Sequence, residues 1–154
     1  MNNLELKNRF NVIYIIYGAL IFGQLIFFVI CYYLFENKLT ETNQSVDGIF
    51  KILVPVVGII SMFVSYKLYN SRVSGYKESK ELIQKLSFYL NNKIIQWAIL
   101  EGSGFLSLVA FLTTGNYFYV IIFLFVMGFL ILTRPSKENF FNDLKVSGSD
   151  RSLF

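Results

Sequence analysis

The chain contains no histidine and a single cysteine, Cys31. The commonest general base and metal ligand are therefore missing, and the chain has no cysteine pair for a disulfide or a metal framework. The residue with the most chemical potential is Glu101, the one charge in the apolar stretch from Ile94 to Thr113. A carboxylate at membrane depth is costly unless it is protonated, paired or hydrated, so it points to binding a proton or a cation. Counting from Lys93, Glu101 sits about 12 Å into a hydrocarbon core about 30 Å thick. Gln24 and Ser103 are its candidate helpers in an ion- or proton-binding set. The competing expectation is a protonated Glu101 that hydrogen-bonds a neighbouring helix and only fixes packing.

Other chemistry finds little support. Ser103 and Ser107 have no histidine to activate them. Gly102-Ser103-Gly104 lies inside an apolar run with no strand before it, which is not the setting of a phosphate loop. Trp97 reads as an interfacial anchor. No catalytic residue, metal site or cofactor is expected, and the chain is read as non-enzymatic.

The elements that position Glu101 are apolar helices. Charged residues make up 16% of the chain, where a soluble domain carries about a quarter, so lipid is expected to cover much of the surface. Four transmembrane helices are predicted at about 10–35, 49–69, 94–113 and 117–133. The first is too long for a signal-peptide core, and no small-residue cleavage site follows it. Lys51 is placed to snorkel, and Pro55 is placed near a helix start, where its missing N–H does least harm. The loop before them carries Asn43-Gln44-Ser45, a glycosylation sequon of low specificity.

Leu82, Leu86 and Leu90 recur about one turn apart, giving a cytoplasmic amphipathic extension over 78–93 that continues into the third span. Packing within the protein is the expected use of that face. Residues 134–154 form a cytoplasmic tail in which Ser136 caps a short helix, with Phe140, Phe141 and Leu144 on one face suited to the bilayer surface. Residues from Ser147 onward are expected to be loose.

The Lys and Arg distribution sets orientation. Lys7, Arg9, Lys67, Arg72, Lys77, Lys80, Lys85, Lys93, Arg134, Lys137, Lys145 and Arg151 fall on one side and only Lys38 and Lys51 on the other. The positive-inside rule then predicts a multi-pass protein of the cell membrane with both termini cytoplasmic. Tyr32, Tyr33, Tyr66, Tyr69, Tyr117 and Tyr119 fall near the predicted span ends, as an aromatic belt would. The net charge of +4 is explained by topology and anionic lipid, so the bilayer and not nucleic acid is the expected partner. A homo-oligomer or a membrane-complex partner is compatible with the sequence.

The first and third spans coincide at an offset of 79 residues, with Ile15, Ile16, Ala19 and Gly23 over Ile94, Ile95, Ala98 and Gly102. Two parallel hairpin repeats are one reading of that likeness. Ala19/Gly23 and Ala98/Gly102 are small-xxx-small patches that allow close helix approach in lipid. They predict that the two spans pack side by side, with Gln24 within hydrogen-bonding reach of Glu101.

The second predicted helix, the basic turn and Ile99-Leu-Glu-Gly-Ser-Gly-Phe-Leu-Ser-Leu-Val-Ala-Phe-Leu112 resemble the hairpin of the rotary ATPase proteolipid (c) subunits. That resemblance implies an ion-binding carboxylate at Glu101. The chain departs from the pattern in having only Gly58 mid-helix in place of a glycine ladder, and Arg72-Val73-Ser74 at the turn. Arg134 to Lys145, Arg-Pro-Ser-Lys-Glu…Asp-Leu-Lys, is similar to the ending of small four-span membrane proteins of bacteria. This second likeness implies an architecture and no activity.

The sequence therefore predicts an all-α integral membrane four-helix bundle in a single domain. Its expected role is ion- or proton-coupled transport through Glu101. The alternative is a structural or assembly subunit docking a partner through its basic stalk and tail, residues 72–93 and 134–145.

Overall fold

The computed structural model describes residues 3–76 and 81–148, with side chains from residue 6 onward. The elements are α1 (Asn3–Glu36), a 3-10 turn (Gln44–Val46), α2 (Asp47–Ser74), α3 (Leu82–Thr114), α4 (Phe118–Leu132) and α5 (Lys137–Asp143). No strand occurs among the described residues. Leu6–Glu36, Gln44–Ser74 and Leu82–Thr114 are each long and apolar enough to cross a membrane. The helices α4 and α5, bent by 71° at Thr133–Ser136, pass that test only when taken together. The expected helix start at Glu78, with Lys77 and Lys80, lies outside the described residues, as does Arg151.

The helix α3 is the hub, touching α1, α2 and α4. Half of its most apolar window is buried inside the protein, against 11% for α1 and 22% for α2. Contacts give the directions. Tyr17 meets Trp97 and Phe35 meets Phe111, so α1 and α3 run parallel. Ser61 meets Ser103 and Tyr69 meets Tyr89, so α2 runs antiparallel to α3. Outward faces carry large apolar side chains, among them Ile52, Ile59, Phe125 and Leu132. Of the six end-of-span tyrosines, Tyr32, Tyr33, Tyr66 and Tyr117 are exposed, whereas Tyr69 and Tyr119 are buried.

The end of α4 shows how sequence sets this packing. Pro135 has no N–H, so the Ile131 carbonyl loses its i+4 donor and takes the Arg134 N–H at 3.2 Å instead, and the helix stops. Tyr17 of α1 donates its hydroxyl to that carbonyl at 3.2 Å. Trp97 donates its indole N–H to the freed Thr133 carbonyl at 3.3 Å. Trp97 is completely buried; it caps a helix and is not the interfacial anchor that its sequence position suggested.

The tail also turns inward. Ser136 caps α5, accepting from the Asn139 N–H as expected. Phe140, Leu144 and Val146 are buried, with Phe140 against Phe10 and Tyr89. That apolar face packs on the protein, which corrects its placement on a bilayer surface: the ends of α1 and α3 already supply an aromatic seat. Leu82 and Leu86 are buried and Leu90 half-buried, so the extension's leucine face does pack internally.

The opposite end is held by polar contacts. Asp47 opens α2 and accepts from Tyr119 at 2.6 Å and Asn116 at 3.2 Å, while Lys51 pairs with it at 2.7 Å rather than snorkelling alone. Pro55 sits two turns inside α2, because the helix starts at Asp47. Asn43 caps the 3-10 turn through its side chain, and its N–H donates to the Thr113 carbonyl at 2.8 Å. Gly115 ends α3 at φ +71°, and a Cβ there would lie 2.7 Å from the Phe35 ring. Gly115→Ala is therefore expected to lower stability by about 1 kcal/mol or more through strain and overlap, read as a reduced unfolding temperature of the detergent-solubilised protein.

Candidate functional site

Along the α1–α3 seam, aromatic pairs fix the separation. Tyr17–Trp97 and Phe27–Phe105 have ring centroids 5.0 Å apart, and Phe35–Phe111 5.1 Å. Between the first two pairs, Gln24 lies over Gly104. A Cβ on Gly104 would stand 2.9 Å from Gln24 Oε1 and 3.3 Å from Nε2, so a larger residue there would push the amide out of this place. Gln24 is fully buried, and neither its oxygen nor its nitrogen has a hydrogen-bond partner among the described residues. An orphaned pair of this kind costs on the order of 1–3 kcal/mol per group.

Glu101 lies three residues before Gly104, on the same flank of α3 and about 4.5 Å down the axis. It is half-buried and has no hydrogen-bond or ion-pair partner among the described residues. The expected Glu101–Gln24 hydrogen bond is not formed. The seam contacts pair residues 80 apart at Tyr17–Trp97 and Gln24–Gly104, 78 apart at Phe27–Phe105 and 76 apart at Phe35–Phe111, and they set Gln24 level with Gly104. The two side chains nevertheless share one seam, and Gln24 faces inward.

Ser103 does not join them. Two residues along a helix is a rotation of about 200°, so it faces away from Glu101. It donates to the Leu100 carbonyl at 2.9 Å and accepts from Ser61 at 2.8 Å, linking α3 to α2. Ser107 likewise donates to Ser103's carbonyl and Ser65 to Met62's. The small-residue patches are also displaced from the interface. Ala19, Ala98 and Gly102 are exposed, and nothing lies within 4 Å of a Cβ built on Gly23 or Gly102. The aromatic pairs hold this side of the seam open, so the close approach occurs at Gly104.

A second polar cluster was not foreseen. Lys93 is 4% exposed, its Nζ 4.1 Å from the Tyr69 ring centroid and 5.8 Å from that of Tyr89. It donates to Gln96 Oε1 at 3.1 Å and to the Thr133 carbonyl at 3.5 Å. Tyr69 donates its hydroxyl to Asp143 of α5, and Tyr89 accepts from the Ser136 N–H at 3.4 Å. Lys93 thus adds a cation–π contact to the cap on α4, and the tail closes over it. In the sequence Lys93 looks like any border lysine. The signal would have been that two tyrosines and an aspartate, far apart in the chain, needed a buried cation between them.

Among the described residues, no group of three or more Cys, Asp or Glu side chains is placed to hold a metal ion. Comparisons with protein-family models, with curated proteins and with solved structures found no match.

Two stability measurements check this geometry. Gln24→Leu is expected to raise unfolding free energy by about 1–3 kcal/mol, because the leucine removes two unpaired polar atoms without leaving a hole; a loss of stability would mean that the amide is satisfied. Phe140→Ala is expected to cost about 3–5 kcal/mol and to make the tail the first site cut in limited proteolysis.

Proposed function

We propose that the chain is an integral membrane four-helix bundle, both termini cytoplasmic, in which Glu101 carries a proton or cation and Gln24 is its inner partner. Three spans of membrane-crossing length and the apolar outward faces support the membrane setting. The helix α4 has 15 residues, about 22 Å, so the bilayer thins beside it or flanking Tyr117 and Arg134 reach for the interfaces.

The observation that carries the ion-coupled reading is the Gln24 amide, buried and unpaired one turn from Glu101. A protonated carboxyl offers one donor and one acceptor, the complement of an amide's carbonyl and NH₂. An ionised carboxylate only accepts, so it cannot satisfy the amide oxygen. Neutral Glu101 is therefore the better partner for Gln24, while ionised Glu101 at the half-exposed position would need a bound cation or water, because hydrocarbon disfavours a bare carboxylate. Proton loss and gain would move the side chain between these two places. The proteolipid resemblance places an ion-binding carboxylate at the same residue. A non-enzymatic role fits serines that are committed to helix carbonyls.

The assembly reading rests on a different feature. Ala98 and Gly102 face outward beside Glu101, where a helix from another chain could approach closely. The tail contributes less than expected, because its apolar face is already covered.

Glu101→Gln and Gln24→Leu distinguish these readings when abundance and proton flux in proteoliposomes are both measured. For ion coupling, Glu101→Gln mimics the neutral form, locks onto Gln24, keeps normal abundance and abolishes flux. Unchanged flux in Glu101→Gln would sink the coupling role. Lost abundance with Gly102→Leu, together with loss of a co-purifying protein, would favour assembly.

A further inference from the structure

The helices α2 and α4 touch at Gly58, where a Cβ would meet Ile122 at 3.5 Å and Val126 at 3.8 Å. On the outward side of this contact a groove opens, and it continues along α2 toward the end that carries the termini. Its first part is a hollow of about 280 Å³ walled by Pro55, Ile59, Met62, Ile122 and Phe125. Ile59 and Met62 also wall the next hollow, about 410 Å³, which is completed by Phe63, Tyr66 and Phe129. Phe63 also borders a third hollow, about 430 Å³, formed by α2 alone and carrying Lys67 and Ser71. From Pro55 to Tyr66 the α2–α4 groove is about 16 Å long, close to the roughly 15 Å of acyl chain in one leaflet of a core about 30 Å thick.

The chemistry changes along this length. The first hollow has no polar side chain in its wall. The polar end carries Lys67, exposed, with its Nζ 5.7 Å from the Phe63 ring and no acidic partner among the described residues. Ser71 follows one turn later with an exposed hydroxyl donor. An apolar trough with an unneutralised ammonium beside its end, over the Phe63 ring, and a hydroxyl one turn beyond matches a molecule with a long hydrocarbon tail and an anionic head.

We propose that the α2–α4 groove binds one anionic phospholipid from the leaflet on the termini side, with an acyl chain along Ile59, Met62 and Phe129 and its phosphate at Lys67. This rests on the membrane reading above and is independent of Glu101. Lys67 is the specificity-determining residue, because the trough accepts any acyl chain and the ammonium selects the head.

The test uses the full chain extracted in mild detergent and loaded with phosphatidylglycerol or phosphatidylcholine of identical acyl chains, with bound lipid counted by native mass spectrometry after detergent washing. One retained phosphatidylglycerol is expected, favoured about fivefold over phosphatidylcholine, the scale of one lysine at an anionic surface. Lys67→Glu, at an exposed position, is expected to remove the preference with helicity unchanged. Met62→Trp fills the trough and is expected to lower retention of both lipids. Equal retention of the two lipids by the wild type, or a preference that survives Lys67→Glu, overturns the site. A lipid-free dimer would show that a second copy covers the groove and overturns it too. A chain recovered from the soluble fraction without detergent would instead overturn the membrane reading itself, so the two failures are distinguishable.

Discussion

A backbone carbonyl surrounded by apolar atoms must find a donor, and the end of α4 is where this protein meets that demand. Pro135 removes the i+4 donor of Ile131, whose carbonyl takes the Arg134 N–H and a tyrosine hydroxyl, and the turn that follows leaves Thr133 open. The replacements come from Tyr17 on α1 and from Trp97 and Lys93 on α3. Three helices are thereby tied at one level. Lys93 in turn needs its charge accommodated, which brings in Tyr69 of α2 and Tyr89. Asp143 then completes the set through Tyr69, and α5 is held in place.

Further along the seam the rule is relaxed. The serines on the α2–α3 side are satisfied by carbonyls of their own helices and by each other. The α1–α3 side keeps, among the described residues, an amide without a partner and a carboxyl without a partner, one turn apart.

Helix identity was legible wherever long apolar runs end in strong breaks. Arg134-Pro135 marks the end of α4, Gly115 the end of α3, and Ser136 the start of α5, because each acts through local backbone chemistry. The neighbourhood of α1 and α3 was also legible, and the inward direction of Gln24 with it. The face by which they meet was not. Small residues promise close approach only if no larger side chain intervenes, and Tyr17, Phe27 and Phe35 stand between the helices elsewhere. Ala98 and Gly102 lie about 120–160° around α3 from Gly104, so the face that brings Gly104 in turns them outward. The burial of Lys93, Trp97 and the tail was illegible for a related reason. Their partners lie elsewhere in the chain, Tyr69 24 residues from Lys93, Thr133 36 from Trp97 and Phe10 130 from Phe140, and composition alone favours the membrane interface for such residues.

The seating of Phe140 between Phe10 and Tyr89 has a consequence for how the protein is made. Residues 137–146 follow all four long helices in the chain, so they leave the ribosome after those helices have been synthesised. Until then the aromatic seat on α1 and α3 is empty and Lys93 lacks its cover. The early helices must wait in a loosened state for a segment more than a hundred residues downstream of Phe10. Completion of the core thus comes late in synthesis, and a chain broken off after α4 would present an uncovered lysine and exposed rings to the cell's proteolytic surveillance.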